Sequence, residues 1–359
     1  MAAYFLVGTY SEPILFGTGE VFEGKGKGVY LCALSGGKVE TLGCLPLGNP
    51  SFVAVDEKRG HIYAVNEMKE FQGEYGGGLT DILFERDGRM EVIAQFGTGG
   101  TDPCHVAVSP DGRYVCVANF ADGHVTAFRL DEEGAVLPER TVFEHRGSGA
   151  HPVRQTGPHA HSIIFSGDGR MFVPDLGIDK LKAYVLKEDG IAPDEERTVS
   201  LEPGSGPRWG EWSPDGKHLY VVNELASSVT HLRYEDGKLA VSETVGTLPA
   251  GDGTDNICAD LHLTPDGQYL YASNRGHDTI AAFRVEEDGA LTPAGWEPCG
   301  GKTPRNFSVD PSGQYLLVGN QDSDNITVFS IGADGQLTRV AQNDFPTPVC
   351  IRFLKEGIR

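Results

Sequence analysis

Two histidines one residue apart, His159 and His161, lie in the stretch TGPHAHSIIFSGDGRMFVPDL (156–176), and Asp175 stands near its end. Two imidazoles and a carboxylate can move protons or hold a metal ion. Their spacing predicts that they meet. Residues 162–165 read as a short strand, Gly167-Asp168-Gly169 as a turn and 171–173 as the returning strand. Asp-Gly marks a hairpin because glycine accepts a positive φ. In an antiparallel hairpin the start of one strand neighbours the end of the other, so His159, His161 and Asp175 are expected on one sheet edge. No further ligand pattern accompanies them. Proton transfer or substrate contact is therefore the reading adopted over a zinc site, and neither a metal nor an organic cofactor is expected.

The elements that position these residues recur along the chain. The same hairpin is seen in NPSFVAVDEKRGHIYAVNE (49–67), DPCHVAVSPDGRYVCVANF (102–120), GPRWGEWSPDGKHLYVVNE (206–224), ICADLHLTPDGQYLYASNR (257–275) and TPRNFSVDPSGQYLLVGNQ (303–321). Sixteen residues separate Pro50 from Asn66, Pro103 from Asn119, Pro207 from Asn223, Cys258 from Asn274 and Pro304 from Asn320. In the histidine copy Asp175 takes the asparagine place and the spacing is one longer. Copies begin roughly every 50 residues, a period that signals stacked supersecondary units. Two further strand-like segments follow each hairpin, as in HVTAFRL then ERTVFEH, with turns at Glu133-Gly134, Asp189-Gly190, Asp288-Gly289 and Asp334-Gly335. Four strands per unit make a propeller blade. TPVCIRFL (347–354) reads as a first strand without its partner, and AAYFLVGTY (2–10) as a second strand without its first. Joined, they complete a seventh blade. The expectation is an all-β, seven-bladed propeller forming a single domain over 1–359, with the last blade closed by both termini and no helix.

In such a ring, the start of every innermost strand and the end of every second strand surround one mouth of the central channel. The starts hold His105, Trp209, Asp260 and Asn306, with His161 one residue further out and Arg208 and Arg305 flanking. The ends hold Asn66-Glu67, Asn119, Asp175, Asn223-Glu224, Asn274-Arg275 and Asn320-Gln321. Charge at a crowded rim is costly unless paired, and repeating blades do not need it. The set suits an anionic, oxygen-rich small molecule. His105 reads equally as a packed or a functional side chain, and the recurring asparagines read first as loop ties. Loops 11–27 and 68–78 overhang this mouth, and the insertion 145–156 carries Arg146, His151 and Arg154 towards it.

Composition narrows the function classes. The 359 residues, 39% hydrophobic and 23% charged, can bury a large core. With 48 Gly and 21 Pro, turns are frequent. A formal net charge of −21 argues against nucleic acid or an anionic membrane as partner. Seven cysteines without a Cys-x-x-Cys pair read as reduced thiols of a cytoplasmic protein. The N-terminal sequence lacks the pattern of a signal peptide, and no stretch approaches the 18 or so apolar residues of a membrane span.

With these residues in place, the chain resembles the seven-bladed propeller lactonase family. That family includes the bacterial propeller-type 6-phosphogluconolactonases and the fungal 3-carboxymuconate lactonizing enzymes. The pieces that carry the likeness are VGTY (7–10), RQTGPHAHS (154–162), VPDLG (173–177), GPR (206–208), VNEL (222–225), YASNRG (271–276) and NQDSDNI (320–326). Two positions depart from the phosphogluconolactonase-like pattern: Trp209 stands where His is usual after Gly-Pro-Arg, as in the muconate branch, and Asp260 where Glu is common. The resemblance implies a histidine, two arginines and a glutamate at the mouth, which by motif are His161, Arg208, Arg275 and Glu224, with His159 as the rival histidine. Around them His105, His159, Asp175, Asn223, Asp260, Arg305, Asn320 and Glu67 are expected to bind substrate. The implied reaction is hydrolysis of a sugar lactone, first of all 6-phospho-D-glucono-1,5-lactone. Glu224 or His161 would be the base, and Arg208 and Arg275 would hold a phosphate or the oxyanion. A cycloisomerase acting on a muconate and a non-catalytic scaffold are the alternatives.

Overall fold

The structure, a computed structural model, describes residues 2–15 and 19–355. Seven antiparallel sheets form a ring, each with four strands along one path, in sequence order outward in six of them, and the third sheet carries one extra short strand. Blades 1 to 6 occupy residues 53–97, 103–144, 164–200, 207–246, 257–298 and 304–344. Blade 7 places Pro348–Phe353 innermost, followed by Ala3–Thr9, Gly28–Ser35 and Lys38–Pro46. Phe5 pairs with Phe353 and Val7 with Ile351, so the two ends of the chain share one ladder as expected.

The core lies between the blades rather than in the middle of the ring. Each adjacent pair of blades encloses one apolar cluster, and seven such clusters run round the circle. Tyr220 and Val222 of blade 4 meet Leu261 and Phe283 of blade 5. Leu317 and Val328 of blade 6 meet Phe5 and Ile351 of blade 7, and Leu6 and Cys350 of blade 7 meet Ile62 and Ile82 of blade 1. Second strands such as Tyr114–Asn119 are buried on both faces, which is why they read as unbroken apolar runs. Tyrosine hydroxyls fasten neighbouring blades: Tyr63 donates to the Gly134 carbonyl, Tyr220 to Gly289 and Tyr271 to Gly335, at 2.6–2.8 Å. The Glu-Gly and Asp-Gly turns thus serve the blade beside them as well as their own.

Two local devices aim side chains at the channel mouth. The residue before the innermost-strand proline is left-handed, with φ of 41° at Asn49, 50° at Asp102, 57° at Thr303 and 41° at Thr347. That conformation is strained for threonine. Aspartates of the preceding turn compensate, since the Thr303 and Thr347 N–H groups donate to Asp278 and Asp324 at 2.9 and 3.0 Å. Immediately after the proline the ladder slips. Pro103 pairs with Asn119 but His105 with Ala118, leaving Cys104 as an extra residue, and the same bulge isolates Arg208, Arg305 and Val349. A bulge re-aims the side chain it carries.

The structure differs from the expectation in blade 3. Its innermost strand is only Ile164–Phe165, preceded by a single bridge between Ala160 and Asp175. The Ile163 N–H donates to His105 Nδ1 of blade 2 at 3.2 Å, as the Phe307 and Ile351 N–H groups donate to Asp260 and Asn306 of the preceding blades. Blade 3 also contains a 3₁₀ turn, Glu195–Arg197, where no helix was expected. Loop 11–27 includes the hairpin Ile14–Leu15 with Val21–Phe22, and its residues 16–18 lie outside the described residues. Loop 68–78 includes the hairpin Glu70–Phe71 with Glu74–Tyr75.

Deleting residues 347–359 removes the buried Val349, Cys350, Ile351 and Leu354. At about 1.5–3 kcal/mol for each large apolar side chain, this is comparable to a typical margin of roughly 5–15 kcal/mol, and the ladder with Ala3–Thr9 is lost as well. The truncated protein is expected to aggregate or remain unfolded in circular dichroism and size-exclusion measurements. A monodisperse truncation that melts with the parent would contradict closure by the shared blade.

Candidate functional site

The bulged residues and their successors form two tiers around the axis. Ser51, Cys104, His161, Arg208, Arg305 and Val349 line the upper part of a narrow chamber, and Phe52, His105, Ser162, Trp209, Asp260 and Asn306 line it below. The chamber holds about 30 Å³, room for a water molecule or two. Above it opens a wider cavity of about 480 Å³. Its walls come mainly from the residues that follow the recurring asparagines, Glu67, Phe120, Glu224, Arg275 and Gln321. Leu15, Glu20 and Phe22 reach over from loop 11–27, and Arg154 from the insertion 145–156. Cys104, Arg208, Arg305 and Glu67 line both cavities and so mark the floor of the upper one. Gly276 explains how Arg275 overhangs the mouth: the chain turns there at φ 115°, and a Cβ would stand 2.2 Å from the Asp255 carbonyl.

Glu224 is the hub. Arg154 Nη2 donates to its Oε1 at 2.5 Å, and Arg208 Nε and Arg275 Nη2 reach Oε2 at 2.9 and 2.8 Å. Arg208 also donates to the Ala259 carbonyl, and Arg275 to that of Cys258 at 2.8 Å. Across the floor Arg305 faces Glu67 at 3.8 Å and lies over the Tyr10 ring, 5.3 Å from its centroid. Tyr10 Oη donates to Glu67 Oε1 at 3.0 Å. His161 stands edge-on to Phe120, with its Nδ1 3.7 Å from Cys104 Sγ.

These surroundings set the protonation states. Burial alone would raise the Glu224 carboxyl, but Arg275, Arg154 and Arg208 outweigh it and hold the group well below the usual carboxylate range. Burial, reinforced by Arg208, pushes His161 well below the ordinary imidazole value, so it is neutral near pH 7. Burial lowers Arg275 to about 10. It raises Glu67 against the pull of Arg305, and it pushes the Cys104 thiol up, away from a reactive thiolate.

The structure brings Arg208, Glu224, Arg275, Arg305 and Glu67 to one mouth, and His161, His105 and Asp260 to the chamber beneath. The remaining expected residues are used elsewhere. Asp175 is fully buried, binding His145 Nδ1 at 2.6 Å and the His159 N–H at 2.7 Å, and His145 Nε2 in turn meets Tyr184 Oη. His159 stacks on Phe120 with Nδ1 on the Phe120 carbonyl, and lines neither cavity. Asn223 and Asn320 are fully buried and donate to Thr230 and Thr327 within their own blades, so they too lie off the cavity. Asp260 spends its carboxylate on the Leu261 and Phe307 N–H groups, Asn306 and His262. Among the described residues no three His, Cys, Asp or Glu side chains form a metal-binding cluster, and no helix is long and apolar enough to cross a membrane.

Arg154 and Phe120, which line the upper cavity, and Tyr10, which supports Glu67 and Arg305, are among the residues that the sequence did not assign to the site. Phe120 and Tyr10 follow the ends of second strands as Glu224 and Arg275 do, so the repeat register could have found them. Arg154 lies in a loop without a counterpart in other blades, and only its closeness to the His159–His161 motif hinted at it.

A family model described as Lactonase, 7-bladed beta-propeller, matches residues 4–353. A 6-phosphogluconolactonase of Bacillus subtilis is 34% identical over 269 residues, covering 74% of this chain and 75% of that protein. A 6-phosphogluconolactonase of Formosa agariphila is 32% identical, covering 73% and 75%. Among solved structures, a periplasmic gluconolactonase of Pseudomonas aeruginosa superposes with a TM-score of 0.92 at 30% identity, covering all of both chains.

Glu224→Gln leaves three guanidinium groups without their counter-charge. Breaking a buried ion pair from one side costs roughly 3–5 kcal/mol, so the variant should melt well below the parent at neutral pH. The folded-state carboxyl lies below its usual 4.5. Its contribution is therefore complete above that value and is lost as pH falls through the folded value. The gap in melting temperature between parent and variant should be full at pH 6–8 and narrow in acid. A gap that persists unchanged in acid would contradict an ionised Glu224 at the hub.

Proposed function

Since this chain belongs to the seven-bladed β-propeller lactonase family, and is thereby a lactone-hydrolysing ester hydrolase, we propose that its substrate is 6-phospho-D-glucono-1,5-lactone and its product 6-phosphogluconate. The observation that carries the reading is the Glu224–arginine cluster on a cavity of about 480 Å³, with a neutral, buried His161 in the small chamber that shares Arg208 with its floor. Relatives named for 6-phosphogluconolactone support the choice of substrate. The seven unpaired cysteines fit a reducing compartment, the cytoplasm.

Hydrolysis needs a base for water, a partner for the oxyanion and an acid for the departing ring oxygen. His161 takes the proton of the water as its oxygen bonds to the lactone carbonyl carbon. Arg208, on the floor beside His161, stabilises the negative charge on the carbonyl oxygen with its fixed fork of donors. Breaking the ring carbon–oxygen bond returns a proton from His161 to the ring oxygen, and the new acid ionises to a carboxylate. Glu224 is the poorer base, since both its oxygens are engaged by guanidinium groups that hold it far below neutrality. Its part is to hold Arg208 and Arg275 in place. Cys104 stays a thiol and is no nucleophile.

Steady-state hydrolysis of 6-phosphoglucono-1,5-lactone tests this reading. His161→Asn should lower turnover by ~10²–10⁴, the usual worth of a general base, while melting like the parent. Because the imidazole lies well below 6.5, the acid limb of kcat/KM should also lie well below pH 6.5, leaving the profile flat from pH 6.5 to 8. Consumption of a muconate with no lactone hydrolysis would overturn the reading in favour of a cycloisomerase. Full activity in a folded His161→Asn would remove His161 as the base.

A further inference from the structure

The three arginines on Glu224 are not equivalent. Arg208 and Arg275 are each anchored twice, on Glu224 Oε2 and on a backbone carbonyl of blade 5. Among the described residues the Arg154 guanidinium has one hydrogen-bonding partner, Glu224 Oε1. Its side chain is also the most exposed of the three, 18% against 8% and 11%. The main chain beneath it is firmly held. Gln155 Nε2 donates to the Leu176 carbonyl at 2.8 Å and to Asp179 Oδ1 at 2.7 Å, and the Gly149 N–H donates back to the Gln155 carbonyl. Arg154 thus has a fixed root and a head that can turn from Glu224 towards an incoming anion. Glu224 would keep both partners on its other oxygen.

Charge adds a second constraint. Three guanidinium groups surround one carboxylate, an excess of two positive charges against the wall formed by blades 4 and 5 and the insertion. The opposite wall is acidic, with Glu20, Asp102 and Asp322 lining it, of which Asp102 is paired with Lys69. On the floor between them Arg305 and Glu67 offset each other. A polarised pocket orients a polarised ligand. A single carboxylate would leave half the excess unmet, whereas a phosphate monoester carries about −1.5 to −2 at pH 7. Carboxylates of the far wall repel that phosphate and accept hydrogen bonds from hydroxyl groups.

We propose that Arg154, together with Arg275, forms a phosphate-monoester subsite at the rim of the pocket, and that Arg154 is the residue that discriminates phosphorylated from unphosphorylated lactones. The inference rests on the lactonase reading above and adds the position of the phosphate. Arg208 and His161 lie at the floor, where the carbonyl reacts. Arg154 lines only the upper cavity, so its contact reaches a substituent remote from that carbonyl. Binding energy from a remote anion then orients the reacting end.

The test compares kcat/KM for 6-phosphoglucono-1,5-lactone and for glucono-1,5-lactone in the parent, Arg154→Gln and Arg154→Lys. Loss of one charge-assisted contact should lower the ratio of the two values by about ten- to a hundredfold in Arg154→Gln. Arg154→Lys keeps the charge without the fork and should fall between. Binding of the product, measured by calorimetry with 6-phosphogluconate and with gluconate, should lose its phosphate preference in parallel. This readout does not depend on turnover. If Arg154→Gln fails to fold, Arg154→Lys carries the test, because it preserves the charge opposite Glu224. A parent that hydrolyses both lactones with an unchanged ratio in the folded variants overturns the subsite and leaves the lactonase reading standing. A parent that prefers the unphosphorylated lactone overturns it as well. A parent that hydrolyses neither lactone overturns the choice of substrate, and the subsite with it.

Discussion

The site depends on one buried carboxylate and the three guanidinium groups that hold it. Taking the Glu224 charge out of water costs several kcal/mol, and a single ion pair does not reliably repay that. At an effective dielectric of ~20, a pair of charges at 4 Å is worth about 4 kcal/mol. One partner would roughly break even, and three tip the balance, which is why the carboxyl stays ionised despite burial. The three arginines come from three separate segments, the insertion 145–156, blade 4 and blade 5. Without the carboxylate between them they would repel one another, and the mouth would lose its fixed donors. In this account Glu224 does its chemistry by holding positive charge still.

A sevenfold scaffold makes such an arrangement possible by supplying equivalent positions that need not carry equivalent residues. The same bulge presents Cys104, Arg208, Arg305 and Val349 around the axis. Stability comes from the clusters between blades, well away from the axis. The channel mouth can therefore hold charge and strained backbone while the ring stays closed. Left-handed threonines before Pro304 and Pro348 are a cost that the ladder and the Asp278 and Asp324 hydrogen bonds offset.

Much of this was legible in the sequence because it is periodic. The sixteen-residue spacing from Pro to Asn fixes the register of each hairpin, and register alone brings Arg208, Glu224, Arg275 and Arg305 to one mouth. What the sequence could not convey is how a buried polar side chain is spent. Asp175 was grouped with His159 and His161, but its carboxylate is taken by the imidazole of His145, thirty residues earlier in the chain, and by the His159 main chain. Asn223 and Asn320 sit beside the cavity-lining Glu224 and Gln321 yet are fully buried, where a threonine of the third strand meets each. Arg154 belongs to a loop that no repeat constrains, so only the folded chain reveals that it reaches Glu224.

The central claim is that the lactone carbonyl reacts at the floor of this mouth, between Arg208 and His161. A crystal structure of the protein with its product, 6-phosphogluconate, tests it most directly. The account predicts the newly formed carboxylate within hydrogen-bonding distance of Arg208 and His161, with Glu224 still bound by Arg208 and Arg275. A product bound with that carboxylate at the outer rim, or at the opposite mouth of the channel, would contradict it.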